Sequence, residues 1–381
     1  MESSPAPGPG APRFGPAFFR SPDGWPYLLV PLIPAAVALE LLHAEATIVF
    51  AASALGIIPT AALMGRATEE LAARSGPGIG GFLNVTFGNA PELIIALVAL
   101  NEGLQEVVKA SIIGSILGNV LLVMGAAMLF GGLGRDRQTF NATGASVQST
   151  MLMLAATAMV MPAIFELVEG KGLPDPGAEI VNYGSTVEHL SLATAIVLMG
   201  TYVAGLIFSL KTHRAIFNPP YEEDESLWGW PVRKSVIALA IAGVAVGLMS
   251  EILVGSISEA SESIGLSEFF IGVIVVAIVG NAAEHWVAIL VAIKNKMDLA
   301  VNIAIGSSAQ IALFVAPLLV IASFLIVVGP MPLVFNGFEL GAILVAILVA
   351  NYVTQDGEST WFEGVQLLAL YAILGIAFYY A

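Results

Sequence analysis

The sequence predicts an all-α membrane protein of about eleven transmembrane helices, on three observations. Hydrophobic residues make up 57% and charged residues 11% of 381 positions, with a mean hydropathy of +0.88, far from the balance of a soluble domain. Apolar stretches long enough to cross roughly 30 Å of hydrocarbon recur from end to end. The chain also repeats itself: Gly88-Asn89-Ala90-Pro91-Glu92 returns as Gly280-Asn281-Ala282-Ala283-Glu284, each time placing a carboxylate inside an apolar run.

In chain order, residues 1–25 are Pro- and Gly-rich, with neither an apolar core nor a small-residue cleavage site. They read as a short disordered tail and not as a removable signal peptide. The apolar stretches follow at 26–43, 46–65, 80–101, 107–131, 145–165, 187–210, 232–255, 267–293, 299–328, 331–352 and 361–380. The repeat keeps its register beyond the motif: Gly114-Ser115 is answered by Gly306-Ser307 and Glu106 by Asp298, all at the offset that separates Glu92 from Glu284. Duplicated units of five helices are therefore expected over 45–210 and 232–381, with the helix at 26–43 extra to both. Five is odd, so the units are inverted and their motif helices meet near the midplane from opposite sides. Between them, 211–231 reads as a cytosolic linker carrying an acidic run, Glu222, Glu223, Asp224 and Glu225, either a solvated connector or a calcium-sensing segment.

All but two of the 14 Lys and Arg residues fall on the side of the N-terminus, the exceptions being Lys109 and Lys171. That asymmetry predicts a cytosolic N-terminus and an external C-terminus. A net charge of −15 argues against nucleic-acid partners and agrees with a cationic substrate. The expected partners are the lipid bilayer and the transported ions. Cysteine is absent, which excludes disulfides, thiolate metal sites and cysteine nucleophiles.

The chemistry follows from the repeated acids. A carboxylate inside a membrane is costly enough to imply function. A hard divalent cation wants oxygen ligands, and Glu92 with Glu284 would neutralise its charge. Asn89 and Asn281 precede them by three residues, on the same helix face. Gly88, Gly280 and Pro91 loosen helical bonding and free carbonyls there. Ser115, Asn119, Ser307 and Gln310, polar in otherwise apolar helices, are candidates to complete the cavity; serines and amides also join membrane helices with no ion present. The same carboxylates can hold protons when the cation is absent, and mutually exclusive occupancy with alternating access gives exchange. Moving calcium up an about ten-thousandfold gradient costs about 5.6 kcal/mol, while one pH unit returns about 1.4 kcal/mol per proton, so two protons fall short. A third makes the exchange electrogenic and suffices. His285 is read either as a proton or pH relay or as a core histidine about 100° round the helix from the site. Glu70 and Glu262, at matching positions of the repeats, are candidate acids at the two mouths. Glu251, Glu339 and Glu363, nearer span ends, are expected to be hydrated.

These motifs resemble the calcium/cation-proton exchanger family of the calcium/cation antiporter superfamily. The resemblance rests on Gly80-Gly81-Phe82-Leu83-Asn84 leading into the first motif, Val108-Lys109-Ala110-Ser111 before Gly114-Ser115, and Lys294-Asn295-Lys296-Met297-Asp298 after the second. It implies eleven helices with a mobile first helix and two inverted five-helix repeats, and calcium export from the cytosol against inward protons, with no cofactor beyond the transported Ca2+ and H+. It also implies that Glu92 and Glu284 are the paired ion-binding acids, that Asn89, Asn281, Ser115, Asn119, Ser307 and Gln310 surround them, and that Tyr221 to Ser226 is the acidic inter-repeat segment. The N-terminus lacks the long regulatory extension of plant vacuolar members, which points to a prokaryotic plasma membrane, with a vacuolar or other organellar membrane as the alternative.

Two rivals remain. A sodium/calcium exchanger typically has Ser or Thr where this chain has Asn89 and Asn281, and a further acid where it has Gln310. An intramembrane hydrolase would pair Ser307 with His285, which leaves the doubled glutamates unexplained; His-Glu-x-x-His is absent. A transporter, not an enzyme, is the expectation.

Overall fold

The structure, a computed structural model, describes residues 16–19, 21, 24–177, 183–212, 229–326 and 329–381. The acidic run Glu222 to Glu225 and most of the N-terminal tail lie outside the described residues.

Nearly all of the rest is helical. Among the described residues eight helices are long and apolar enough to cross a membrane: α2 (Ala46–Arg74), α5 (Gln105–Gly132), α6 (Ala142–Val168), α7 (Ser185–Thr212), α8 (Val232–Ile264), α9 (Glu268–Ile293), α10 (Met297–Ser323) and α12 (Trp361–Tyr379). Two shorter apolar helices are α1 (Trp25–Leu41) and α11 (Gly337–Val353). The first motif falls at a break between α3 (Gly76–Gly88) and α4 (Ala90–Asn101), whose axes differ by 43°. Asn89 occupies the break and Pro91, which has no N–H to give, opens α4. The second motif has Ala283 in place of proline, and α9 runs through it unbroken, so Gly280 does not loosen the helix as expected.

Wide π turns stand in for breaks elsewhere. They span Gly118–Val123 in α5, Ile271–Val276 in α9 and Ile311–Val315 in α10, three that lie close to a candidate site residue, where such turns are often found, and Phe208–Thr212 at the end of α7, which does not. Capping boxes open α11 (Asn336 with Glu339) and α12 (Thr360 with Glu363). Among the described residues the only strand pairing is a two-residue antiparallel one, with Gln138 opposite Ser359 and Thr139 opposite Glu358, which ties the α5–α6 loop to the start of α12.

Packing divides the helices into middle and rim. The apolar centre of α5 is 89% buried and that of α10 72%, against 22% for α7 and 17% for α12. Helices α5 and α10, which carry Ser115 and Ser307, are therefore wrapped by protein, while α7 and α12 turn their apolar surface outward, as lipid requires. The two halves of the molecule close unequally. Where α5 begins, it lies along Ile271–Val276 of α9, and a Cβ on Gly114 would collide with the Val273 carbonyl. Gly272 is likewise pressed against Val107 and Ala110, with its Cβ position 3.0 Å from each. Under the repeat, Gly306 corresponds to Gly114, yet its nearest neighbour is the side chain of Gln148, 3.4 Å from its Cβ position. One half is thus sealed backbone to backbone, and among the described residues the corresponding half shows no such contact at Gly306.

Candidate functional site

The motif helices bring the two acids to one place by exchange. The Cβ position of Gly88, in the first motif, lies 3.4 Å from Glu284 Oε1, and that of Gly280, in the second, lies 3.3 Å from Glu92 Cγ. Each glycine leaves room for the opposite glutamate. A side chain at either position would press on the opposite glutamate.

Amides and hydroxyls surround the pair with the same exchanged symmetry. Asn89, at the break, accepts a hydrogen bond from the Ser307 hydroxyl (2.8 Å) and donates to Gln310 Oε1 (2.7 Å). Asn281 donates to Ser115 Oγ (3.1 Å) and to the Ala277 carbonyl (2.9 Å). Ser307 also reaches Glu284 Oε2 at 3.2 Å. Glu92 Oε2 and Asn281 Oδ1 are buried with no hydrogen-bond partner among the described residues. A buried oxygen that accepts nothing is costly, and two of them beside paired carboxylates suit a cation or a proton. Among the described residues no group of three or more His, Cys, Asp and Glu side chains gathers. Any ion held here would complete its oxygen shell with Asn, Ser, Gln or water, as hard cations accept.

Glu92, Glu284, Asn89, Asn281, Gly88, Gly280, Ser115, Ser307 and Gln310 therefore form one constellation. His285 and Asn119 lie beside it as a separate pair, with His285 Nε2 and Asn119 Oδ1 3.1 Å apart. Nε2 of the ring is engaged by that amide, and among the described residues no hydrogen bond or ion pair joins the ring to an acid, which fits the core-histidine reading better than the relay.

Two expectations need correction. Glu70 is not at a mouth: it is buried, and its Oε2 accepts the Trp230 backbone N–H at 2.8 Å, fastening α2 to the start of α8. Glu262, its counterpart in the repeat, is exposed near the end of α8. Glu339, expected to be hydrated, is wholly buried.

An exposed acid, Glu69, stands one residue before Glu70. Its side chain is 47% exposed and pairs with Arg66 at 3.1 Å. The sequence offered two adjacent acids, and only the turn of α2 distinguishes the structural one from the exposed one, a candidate for the entrance. Gln148, a lone amide in apolar α6 with its Oε1 buried and without a partner among the described residues, was also missed; a polar side chain in an apolar helix was the available signal. Glu69→Gln is expected to raise the half-saturating calcium concentration by about threefold at low ionic strength, with the difference shrinking as salt is added. Initial rates of calcium uptake against concentration at two ionic strengths check this; an unchanged value at low salt would remove Glu69 from the entrance.

A family model described as sodium/calcium exchanger protein matches residues 45–211 and 234–380. A Ca(2+)/H(+) antiporter of Synechocystis is 44% identical over 374 residues, covering 93% of this chain and 96% of the relative. A vacuolar calcium ion transporter of Schizosaccharomyces pombe is 41% identical over 357 residues, covering 93% and 84%. Among solved structures, native YfkE superposes with a TM-score of 0.78 at 42% identity, covering 93% of this chain and all of that one. Matched along both halves and at this level of identity, the chain belongs to the sodium/calcium exchanger protein family, alongside its calcium/proton antiporters.

Proposed function

We propose that the protein is a secondary antiporter that exchanges cytosolic calcium, or another divalent cation, for protons across the membrane. The observation that carries this reading is the exchanged pair of glutamates, each facing the other's motif glycine, with Glu92 Oε2 and Asn281 Oδ1 buried and without partners among the described residues. Two carboxylates so placed neutralise one divalent cation or hold protons, but not both at once, and competition for them couples the two fluxes. Asn89, Asn281, Ser307 and Gln310 supply neutral oxygens. With no third acid at Gln310, the set suits a calcium ion traded for protons better than one traded for several sodium ions.

The repeats are read as inverted five-helix units, 45–210 and 232–381, with α1 outside both. The Lys and Arg asymmetry supports a cytosolic N-terminus and an external C-terminus. Lys109, one of the two basic exceptions, is buried inside α5 and so is not a loop charge, which sharpens the asymmetry. On this orientation the sealed half is external, and the open half, with Glu69 a candidate for its entrance, faces the cytosol. The home membrane is a prokaryotic plasma membrane or, as for the vacuolar relative, an organellar one.

Calcium uptake into inside-out vesicles with an acid interior is the test. Uptake is expected under the proton gradient and not under a sodium gradient of equal size. Uptake driven by sodium alone would overturn the reading in favour of sodium/calcium exchange.

A further inference from the structure

A second polar cluster lies away from the midplane, where α5 begins. Glu106 and Lys109, one turn apart on α5, form an ion pair with 7% and 1% of their surfaces exposed. Lys109 donates to the Val334 carbonyl at 2.9 Å and lies 5.9 Å from the centre of the Tyr183 ring. Glu339 enters from α11. One of its oxygens accepts the Asn336 N–H in the capping box (2.8 Å); the other, Oε1, is buried without a partner among the described residues, as are Glu106 Oε2 and the Tyr183 hydroxyl. From the end of α6 comes Glu166, 2% exposed, with the half-exposed Lys171 3.4 Å away. Tyr183 lies in the loop before α7. Its burial, and then the charges of Glu106, Glu166 and Glu339, hold its phenol above the usual range. Helix α12 adds no charge, since its one charged residue, Glu363, caps the opposite end.

Helix capping uses one oxygen of Glu339 and leaves the other unexplained. Counted by charge among the described residues, the three carboxylates of Glu106, Glu166 and Glu339 stand against one fully buried lysine, with Lys171 at the rim. Ionised throughout, the cluster would hold excess negative charge out of water, and a proton is the smallest cation that corrects it. Its place is also informative. Ser115 lies nine residues further along α5, roughly 13 Å at 1.5 Å per residue, and the contact of Gly114 with Val273 lies just before it. The cluster thus stands between the external edge of the protein and the sealed side of the candidate site.

We propose that Glu339, with Glu106 and Tyr183, is an external proton-holding station: a proton from external water joins a Glu339 carboxylate oxygen and, when α5 and α9 part, leaves it for Glu92 and Glu284. Only a proton moves, and the Glu106 to Lys109 pair keeps the remaining charge balanced. The inference rests on the proton-exchange reading above.

The experiment uses Glu339→Gln, whose amide can still cap α11, in inside-out vesicles with bath pH and calcium fixed while internal pH is varied. The internal proton concentration for half-maximal uptake is expected to rise by about tenfold, one pH unit, with the half-saturating calcium concentration unchanged. Glu339→Asp, still an acid, is expected to restore the wild-type profile. An unshifted profile in the folded Gln variant would overturn the proposal, and so would the same shift in the Asp variant, which would mark a capping role. Tyr183→Phe touches no cap and is expected to shift the profile in the same direction; if the Gln variant fails to fold, an unshifted Phe profile overturns the proposal. Failure of the exchange reading shows separately, as absent proton-driven uptake in the wild type.

Discussion

Glu92→Gln and Glu284→Gln are each expected to reduce proton-driven calcium uptake at least about 100-fold, to the level of vesicles without the protein. Removing one partner of a buried charge set typically costs about 3–5 kcal/mol. Here the lost charge is half of what would neutralise a divalent ion with little water nearby. Glutamine keeps the size of the side chain and its reach toward the opposite glycine, Gly280 or Gly88, so packing should survive. The proton arm fails as well, because an amide does not take up and release the coupled proton. Uptake of radioactive calcium, normalised to folded protein by size-exclusion profile, checks both variants. Transport surviving in either one at more than about a tenth of wild type would remove paired carboxylates from the mechanism. The two variants should also be alike. The site is built from exchanged halves, and unequal losses would mean that Ser307, which reaches Glu284 at 3.2 Å, tunes one acid more than the other.

Much of this site was legible in the sequence, for a physical reason. Acids in apolar helices are rare because they are costly, so a repeated one stands out without any structure. Constant spacing then carried the reading from Glu92 and Glu284 to Ser115 and Ser307. The hydrogen bonds of Ser307 to Asn89 and of Asn281 to Ser115 follow that repeat. What spacing could not give was which way a helix faces its neighbours. Glu69 and Glu70 are adjacent and chemically alike, yet about 100° of helix rotation leaves one exposed and sends the other to the Trp230 N–H. Glu339 was misread because distance from a span end says nothing about the extended segment 329–336, whose Met331, Leu333, Val334 and Phe335 are buried and cover it. The capping role of Glu339 was visible in principle, as Asn336 followed three residues later by Glu. The different behaviour of the motifs, a break at Asn89 and a continuous α9, was present in one residue, Pro91 against Ala283.

The sealed half supplies the second large effect. The chain has no cysteine, so single cysteines report accessibility against no background. Thr86→Cys, half-buried on α3, is expected to react with a membrane-impermeant maleimide from the cytosolic side. Ser111→Cys is expected to be inert from the external side, because Ser111 is buried one turn outward from Ser115 on the same face of α5, behind the contact of Gly272 with Val107 and Ala110. Gly114→Leu should reverse that. Its side chain has no space beside the Val273 carbonyl, and overpacking of this kind costs about 1–3 kcal/mol. Spent against the sealed state alone, that cost shifts the balance toward external opening by about five- to 150-fold. Ser111→Cys should then become reactive from outside, while calcium uptake falls by about tenfold or more because the transporter can no longer close behind its cargo. External labelling of Ser111→Cys without the leucine would mean that α5 and α9 do not form the external gate. Wild-type uptake by Gly114→Leu would mean that the tight glycine contact is packing alone. Calcium binding from the external face separates a displaced equilibrium from a damaged fold, since a protein held externally open should still bind there and a misfolded one should not.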